Sequence, residues 1–246
     1  SYNDLIATIK TKDYPYPNNI KRIYQLYNKI AGDIEECFLS VMDHTNLTEI
    51  NFSFNKITGL PNQTCLPQNN TLKILSFTSN LIRFLPRSFF GNMTHLEVVS
   101  FQSNPLALVE FYASVILQNP SIHTLNLGDT GLKKLPTVSP LKFTLKNLYV
   151  FTNQITNISL DAFILPNETE NNFQIFTKFQ VFSFYNNPFS NLPDKLLHVM
   201  PNLRTLWYHS SIKNLKLEPD LSLLNETLES ILVTTHLHPT PGMFSM

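Results

Sequence analysis

Charge is scarce in this chain. Only 15% of its 246 residues are charged, 18 basic against 18 acidic, for a formal net charge of zero. That balance lacks the clustered basic excess of a nucleic-acid binder. Glycine is scarcer still: there are six, which leaves almost nothing to build a phosphate-cradling loop. No stretch of about 18 uninterrupted apolar residues occurs, so no segment reads as a membrane span. Two cysteines are too few for a disulfide-rich miniprotein and enough for one bridge. The start at Ser1-Tyr2-Asn3-Asp4 has neither an initiator Met nor a basic segment leading into an apolar one, and reads as a processed or trimmed chain. The seven histidines are scattered without metal-ligand spacing, His236-Leu237-His238 being at most a weak pair. With no nucleophile elbow and no HExxH, the sequence points away from catalysis, and no metal or cofactor is expected.

What is present is a repeat. Leu72, Leu75, Phe77 and Asn80 set a frame: apolar residues at offsets 0, 3 and 5, then Asn at offset 8. The frame returns at Leu47, Leu96, Leu145 and Phe179, each with its own Asn (Asn55, Asn104, Asn153, Asn187). Weaker copies start at Ile122, Leu203 and Leu228, with Thr130, Ser211 and His236 in place of Asn. A degenerate first copy begins at Ile20 with Ile23, Asn28 and Ile30, Gln25 breaking its apolar offset. From Leu47 on, successive starts lie 23 to 26 residues apart, except for one interval of 34.

This frame resembles the leucine-rich repeat, with the spacing of extracellular receptors and matrix proteins. The resemblance spans about residues 20 to 236 and implies an α/β solenoid. That solenoid is a right-handed superhelix with a concave parallel β-sheet and irregular or short helical returns on the convex side. The residues give independent reasons. Offsets 3 and 5 leave a strand on the same side and enter the core, while offset 4 points outward. A further apolar residue at offset 10 (Ile57, Ile82, Leu106, Leu132, Ile155, Phe189) turns back inward. Asn at offset 8 sits where the chain leaves the strand, and its amide is placed to satisfy backbone groups of its own and the adjacent coil. Coils with Thr130, Ser211 or His236 should have a weaker ladder. Pro61, Pro86, Pro136 and Pro193 mark the turn toward the returns, where Phe89, Phe111 and Phe163 read as core.

Cys37 and Cys65 fall at equivalent places in the first two coils, which stack about 4.8 Å apart, and are expected to form a disulfide stapling the N-terminal end. The alternative is two buried free thiols. Eight Asn-x-Ser/Thr sequons occur, at Asn46, Asn51, Asn62, Asn69, Asn92, Asn157, Asn167 and Asn225. No ladder Asn starts one. Most fall on turns or returns, where a glycan is tolerated; Asn51 alone stands on the sheet face and would screen its N-terminal half. N-linked glycans and a disulfide together suggest secretion, or the extracellular face of a cell.

The outward offsets change along the chain. Early coils carry Ser53, Ser76, Thr78, Ser100, Gln102 and Ser103; later ones carry Tyr149, Phe151, Tyr185, Trp207 and His209. The second group is expected to form a contiguous, exposed aromatic patch that binds a protein or glycan ligand. Two alternatives are that the patch packs beneath the insertion between Asp161 and Lys178, or merely reflects an aromatic-rich composition. Residues 1–19, with Tyr14-Pro15-Tyr16-Pro17, read as an arm or cap and residues 237–246 as a tail without cysteine. The missing caps leave three options: a fragment of a longer ectodomain, capping by arm and tail, or head-to-tail stacking. Two functions follow. One is a non-enzymatic extracellular recognition module using its concave face. The other is a structural secreted glycoprotein that self-assembles head to tail into a filament or matrix.

Overall fold

The computed structural model describes residues 20–39, 46–62, 64–66, 70–86, 88–106, 119, 121–141, 143–164, 175–189, 192–193, 195–209 and 227–234. The expected arm and tail lie outside them, as do Asn69, Asn167, Asn225, Phe111, Ser211, His236 and the middle of the insertion.

Each copy of the frame yields one short strand. Nine of them form a single parallel sheet: β1 (Arg22–Tyr24), β3 (Glu49–Asn51), β5 (Ile74–Ser76), β6 (Val98–Ser100), β7 (Thr124–Asn126), β8 (Asn147–Tyr149), β9 (Val181–Ser183), β10 (Thr205–His209) and β11 (Ser230–Thr234), in that order. Two more, β2 (Ala31–Asp33) and β4 (Lys56–Gly59), pair in parallel on the return path of the first coils. The degenerate copy at Ile20 is thus a full coil, with Ile23 in register with Ile50. The offset-3 residues line up strand by strand as Ile23, Ile50, Leu75, Val99, Leu125, Leu148, Phe182, Leu206 and Ile231. All but the last are buried. The 34-residue interval does not break this register. Lys146 O still accepts from Gln180 and Val181 N–H at 2.7 and 2.9 Å, so β8 and β9 pair without a shift across the longer interval.

The core holds two groups of phenylalanine. In the first, Phe52, Phe77 and Phe101 follow one another at 5.7 Å spacings, with Phe89 edge-on to Phe77 and Phe90 edge-on to Phe101. In the second, Phe163, Phe176, Phe179, Phe182, Phe184 and Phe189 form a continuous chain of ring contacts. Between them the offset-5 column holds only Leu127 and Val150.

The described returns are irregular, with a few short helical turns. Among the described residues the returns contain 3-10 turns at Ser139–Leu141, Leu160–Ala162 and Leu197–Val199, and no α-helix. The α of the expected α/β class is therefore missing there. A short return interrupted by proline cannot repay the nucleation cost of a helix.

The asparagine ladder is built as the sequence suggests. Asn80 Nδ2 donates to Phe52 O of the preceding coil (2.9 Å) and to Phe77 O of its own (3.0 Å), while its Oδ1 accepts the Ile57 N–H (3.0 Å). Asn55, Asn104, Asn153 and Asn187 repeat the pattern. Thr130 does not reach the preceding coil. Its hydroxyl donates to Leu127 O at 2.8 Å and meets Asn153 Oδ1 at 3.1 Å, on the following side only. Cys37 and Cys65 are disulfide-bonded, their Cα atoms 4.6 Å apart, and no free cysteine exists.

Candidate functional site

The outward face of the sheet is set by the even offsets, which leave each strand opposite the core. Its chemistry divides at β7. On the N-terminal side, hydroxyls form one connected chain, and an amide pair stands beside it. Ser53 Oγ lies 2.9 Å from Ser76 Oγ, Ser76 Oγ 3.2 Å from Thr78 Oγ1, and Thr78 Oγ1 2.8 Å from Ser100 Oγ. Gln102 Oε1 then accepts from Asn126 Nδ2 at 2.9 Å.

β7 is the one strand of the sheet whose three residues are all buried. Its outward side chains are small, and neighbours lean over them. Asn147 Nδ2 donates to Thr124 Oγ1 at 3.0 Å. Two residues beyond Asn126 stands Gly128, and a Cβ there would overlap the end of the Phe151 ring. Glycine is required by this close approach.

On the C-terminal side the rings are contiguous. Phe151 and Tyr185 stack with centroids 5.0 Å apart and planes 2° from parallel, and Trp207 leans on Tyr185 at 6.3 Å. The exposure expected of them is not there. Phe151 is 3% and Tyr185 2% exposed, while Tyr149 and Trp207 are half-buried. At roughly one strand spacing, flat rings at equal offsets cover each other, and Gly128 lets the first ring lie down. The patch is a packed stack whose accessible part is Tyr149 and Trp207. His209 ends β10, and its side chain lies outside what is described.

Burial shapes the titration of these groups. It pushes the Tyr185 hydroxyl up to about 12 and raises Tyr149 as well. Both are neutral phenols at any physiological pH. At the edge of the sheet, Lys73 Nζ donates to Glu97 Oε1 at 2.7 Å, and His123 Nε2 lies 3.5 Å from Glu97 Oε2. The Lys73 hydrogen bond is the main cause holding the Glu97 carboxyl below its usual range.

Two features escaped the sequence. One is a row of residues at offset 7 with positive φ: Tyr27, Phe54, Ser79, Ser103, Asp129, Thr152 and Asn186, all between 51° and 60°. Five of the seven are Ser, Thr, Asp or Asn, small polar types whose repetition in one column was a readable sign. Tyr27 and Phe54 break that pattern and stack in solvent, centroids 4.3 Å apart. The other is Ser183. It occupies an outward position, yet it is 0% exposed and its Oγ finds no hydrogen-bond partner among the described residues. A hydroxyl left so costs about 1–3 kcal/mol.

Of the sequons, Asn46, Asn62, Asn92 and Asn157 are exposed. Asn51 is half-buried on β3, where its Oδ1 accepts the Ser53 N–H at 3.0 Å.

No family model matches the sequence, and no curated protein does. Solved structures do. The chain is similar to a leucine-rich repeat protein from Bacteroides eggerthii DSM 20697, with TM-score 0.58 and 17% identity over 89% of this chain and 40% of that one. A chain of the LRIM1/APL1C complex gives TM-score 0.62 and 17% identity over 88% of this chain and 40% of that one. A chain of the octameric complex of latrophilin 3, Unc5D and FLRT2 (LRR) gives 0.61 and 20%, over 89% and 69%. The chain therefore spans about 40% of the length of the first two. In register, ladder and likeness alike, this chain folds as a leucine-rich-repeat solenoid.

Proposed function

We propose that the chain is a non-enzymatic recognition module of the extracellular space, which binds a protein or glycan ligand on the outward face of its sheet. The observation that carries this reading is the stack of Phe151, Tyr185 and Trp207 beside Tyr149 on a sheet face formed by successive parallel strands. Aromatic side chains held in fixed positions present area at little entropic cost, as interface anchors do. Similar chains sit in complexes with other proteins, which agrees with this use of the fold. The Cys37–Cys65 disulfide agrees with an oxidising compartment, and the sequons at Asn46, Asn51, Asn62, Asn92 and Asn157 are its natural glycan sites.

The test uses the secreted, labelled chain tetramerised on streptavidin and applied to a panel of intact cell lines. Staining should be lost with Tyr149→Arg, which puts a long cation in place of an accessible ring on the aromatic face, and kept with Lys134→Glu on an exposed return. Both variants should keep native circular dichroism. Staining of no line, or staining indifferent to Tyr149→Arg, would overturn the reading.

One observation favours end-to-end assembly as a second reading. In β11, Ile231 is 40% and Leu232 39% exposed, although Ile231 belongs to the column buried in every other strand. An uncovered core position on an edge strand invites a further strand. A single species at the monomer mass in sedimentation would eliminate this reading.

A further inference from the structure

Taking that face as the recognition surface, we infer that its ligand is an uncharged saccharide, held against Tyr149 and Trp207 with Ser183 Oγ as a polar anchor between them. Three observations converge on this chemistry. First, from Ile74 to Trp207 no outward strand position carries Lys, Arg, Asp or Glu, so the face offers nothing to pair with a charged peptide, a phosphate or a sulfated sugar. The charged side chains near it, Lys73, Glu97, Lys146 and Arg204, stand where the chain enters the strands; Lys73 pairs with Glu97 and Arg204 with Glu229. Second, what the face does carry is hydroxyl, amide and aromatic: the groups that meet a sugar ring's hydroxyls on one side and its C–H face on the other. Third, the aromatic half contains a polar group with an unmet demand.

Ser183 lies on β9 between Tyr149 of β8 and Trp207 of β10, in register with both neighbouring strands. Its counterparts Ser76 and Ser100 in the polar half spend their hydroxyls on the connected chain across β3 to β6. Ser183 has rings on either side instead. Its hydroxyl faces the ligand side of the sheet, is fully buried and finds no partner among the described residues. Buried polar groups without partners are rare enough to need a cause. A sugar hydroxyl that reaches it as the Trp207 ring turns aside supplies one. The neutral phenols of Tyr149 and Tyr185 add no charge to the site.

Trp207 is the only tryptophan in the chain, so its emission reports this site alone. The folded chain is titrated with cellotriose, chitotriose, maltotriose and mannotriose, and separately with a sulfated heparin disaccharide. At least one neutral trisaccharide should shift the emission saturably, and the sulfated one should not. Ser183→Ala should weaken that binding about tenfold while raising the thermal midpoint, because the stranded hydroxyl is gone. A Ser183 with a merely structural part would raise the midpoint and leave the affinity unchanged, which would overturn its role as anchor. The cell assay separates the two levels of the argument. If staining survives enzymatic removal of surface glycans but is still lost in Tyr149→Arg, the saccharide is wrong and the face is right. If staining ignores Tyr149→Arg, the face itself is wrong.

Discussion

From β3 to β6 the outward columns are tied together by Ser53, Ser76, Thr78 and Ser100; from β8 to β10 the same columns are filled by Tyr149, Phe151, Tyr185 and Trp207. Both halves share one backbone register and one spacing between strands. The difference teaches that the outward face of a solenoid has no fixed meaning: equal positions serve as a hydroxyl chain in one region and as an apolar layer in the next. Hydroxyls bridging neighbouring strands add little energy each. Rings that bury one another add more, through area removed from water and favourable stacking. The aromatic half should therefore tolerate substitution on its outward face far less well than the polar half.

The largest effect is expected from Phe151→Ala, which removes the first ring of the stack and uncovers Tyr185. Denaturant unfolding should show a loss of about 3–4 kcal/mol, and a loss below 1 kcal/mol would dissolve the contrast between the halves. Gly128→Ala acts on the same ring from below. Its methyl group collides with Phe151, and a cost of about 2 kcal/mol is expected, with the two substitutions together costing less than their sum. Alkaline titration sharpens the comparison next. Tyr185 has its folded pKa pushed up to about 12, above the value of about 10 in an unfolded chain. Its contribution is complete below about pH 10 and is lost as pH rises toward 12. The thermal midpoint should fall over that window, and Tyr185→Phe should flatten the fall. Smallest is Ser76→Ala in the polar half, which strands Ser53 and should cost about 1 kcal/mol or less. A larger loss than Gly128→Ala gives would invert the ranking.

Much of this was legible in the residues. The offset-0, 3, 5 and 8 frame placed every strand of the main sheet, because alternate residues of a strand must face the same way and only one side is apolar. The ladder was legible because an amide has both the donor and the acceptor that two adjacent coils lack. Thr130 shows the rule from its failure, since one hydroxyl cannot serve both sides. The disulfide was legible because Cys37 and Cys65 hold matching places in coils that must stack. The aromatic site was legible only in outline. Offset 6 gave the direction of Phe151 and Tyr185, but their burial depends on how far rings lean sideways, and that depends on Gly128 in another coil. Ser183 was hidden for the same reason: its neighbours on the sheet lie 34 and 24 residues away in sequence.

The two phenylalanine groups are separated by Leu127 and Val150, and Thr130, the one described ladder position that fails to reach backward, lies in the same place. Under tension applied at its ends the chain has a weak seam there. An optical-trap trace should show two rips rather than one, the first releasing one block while the other stays wound. The chain would then lengthen in one defined step before the remaining block gives way.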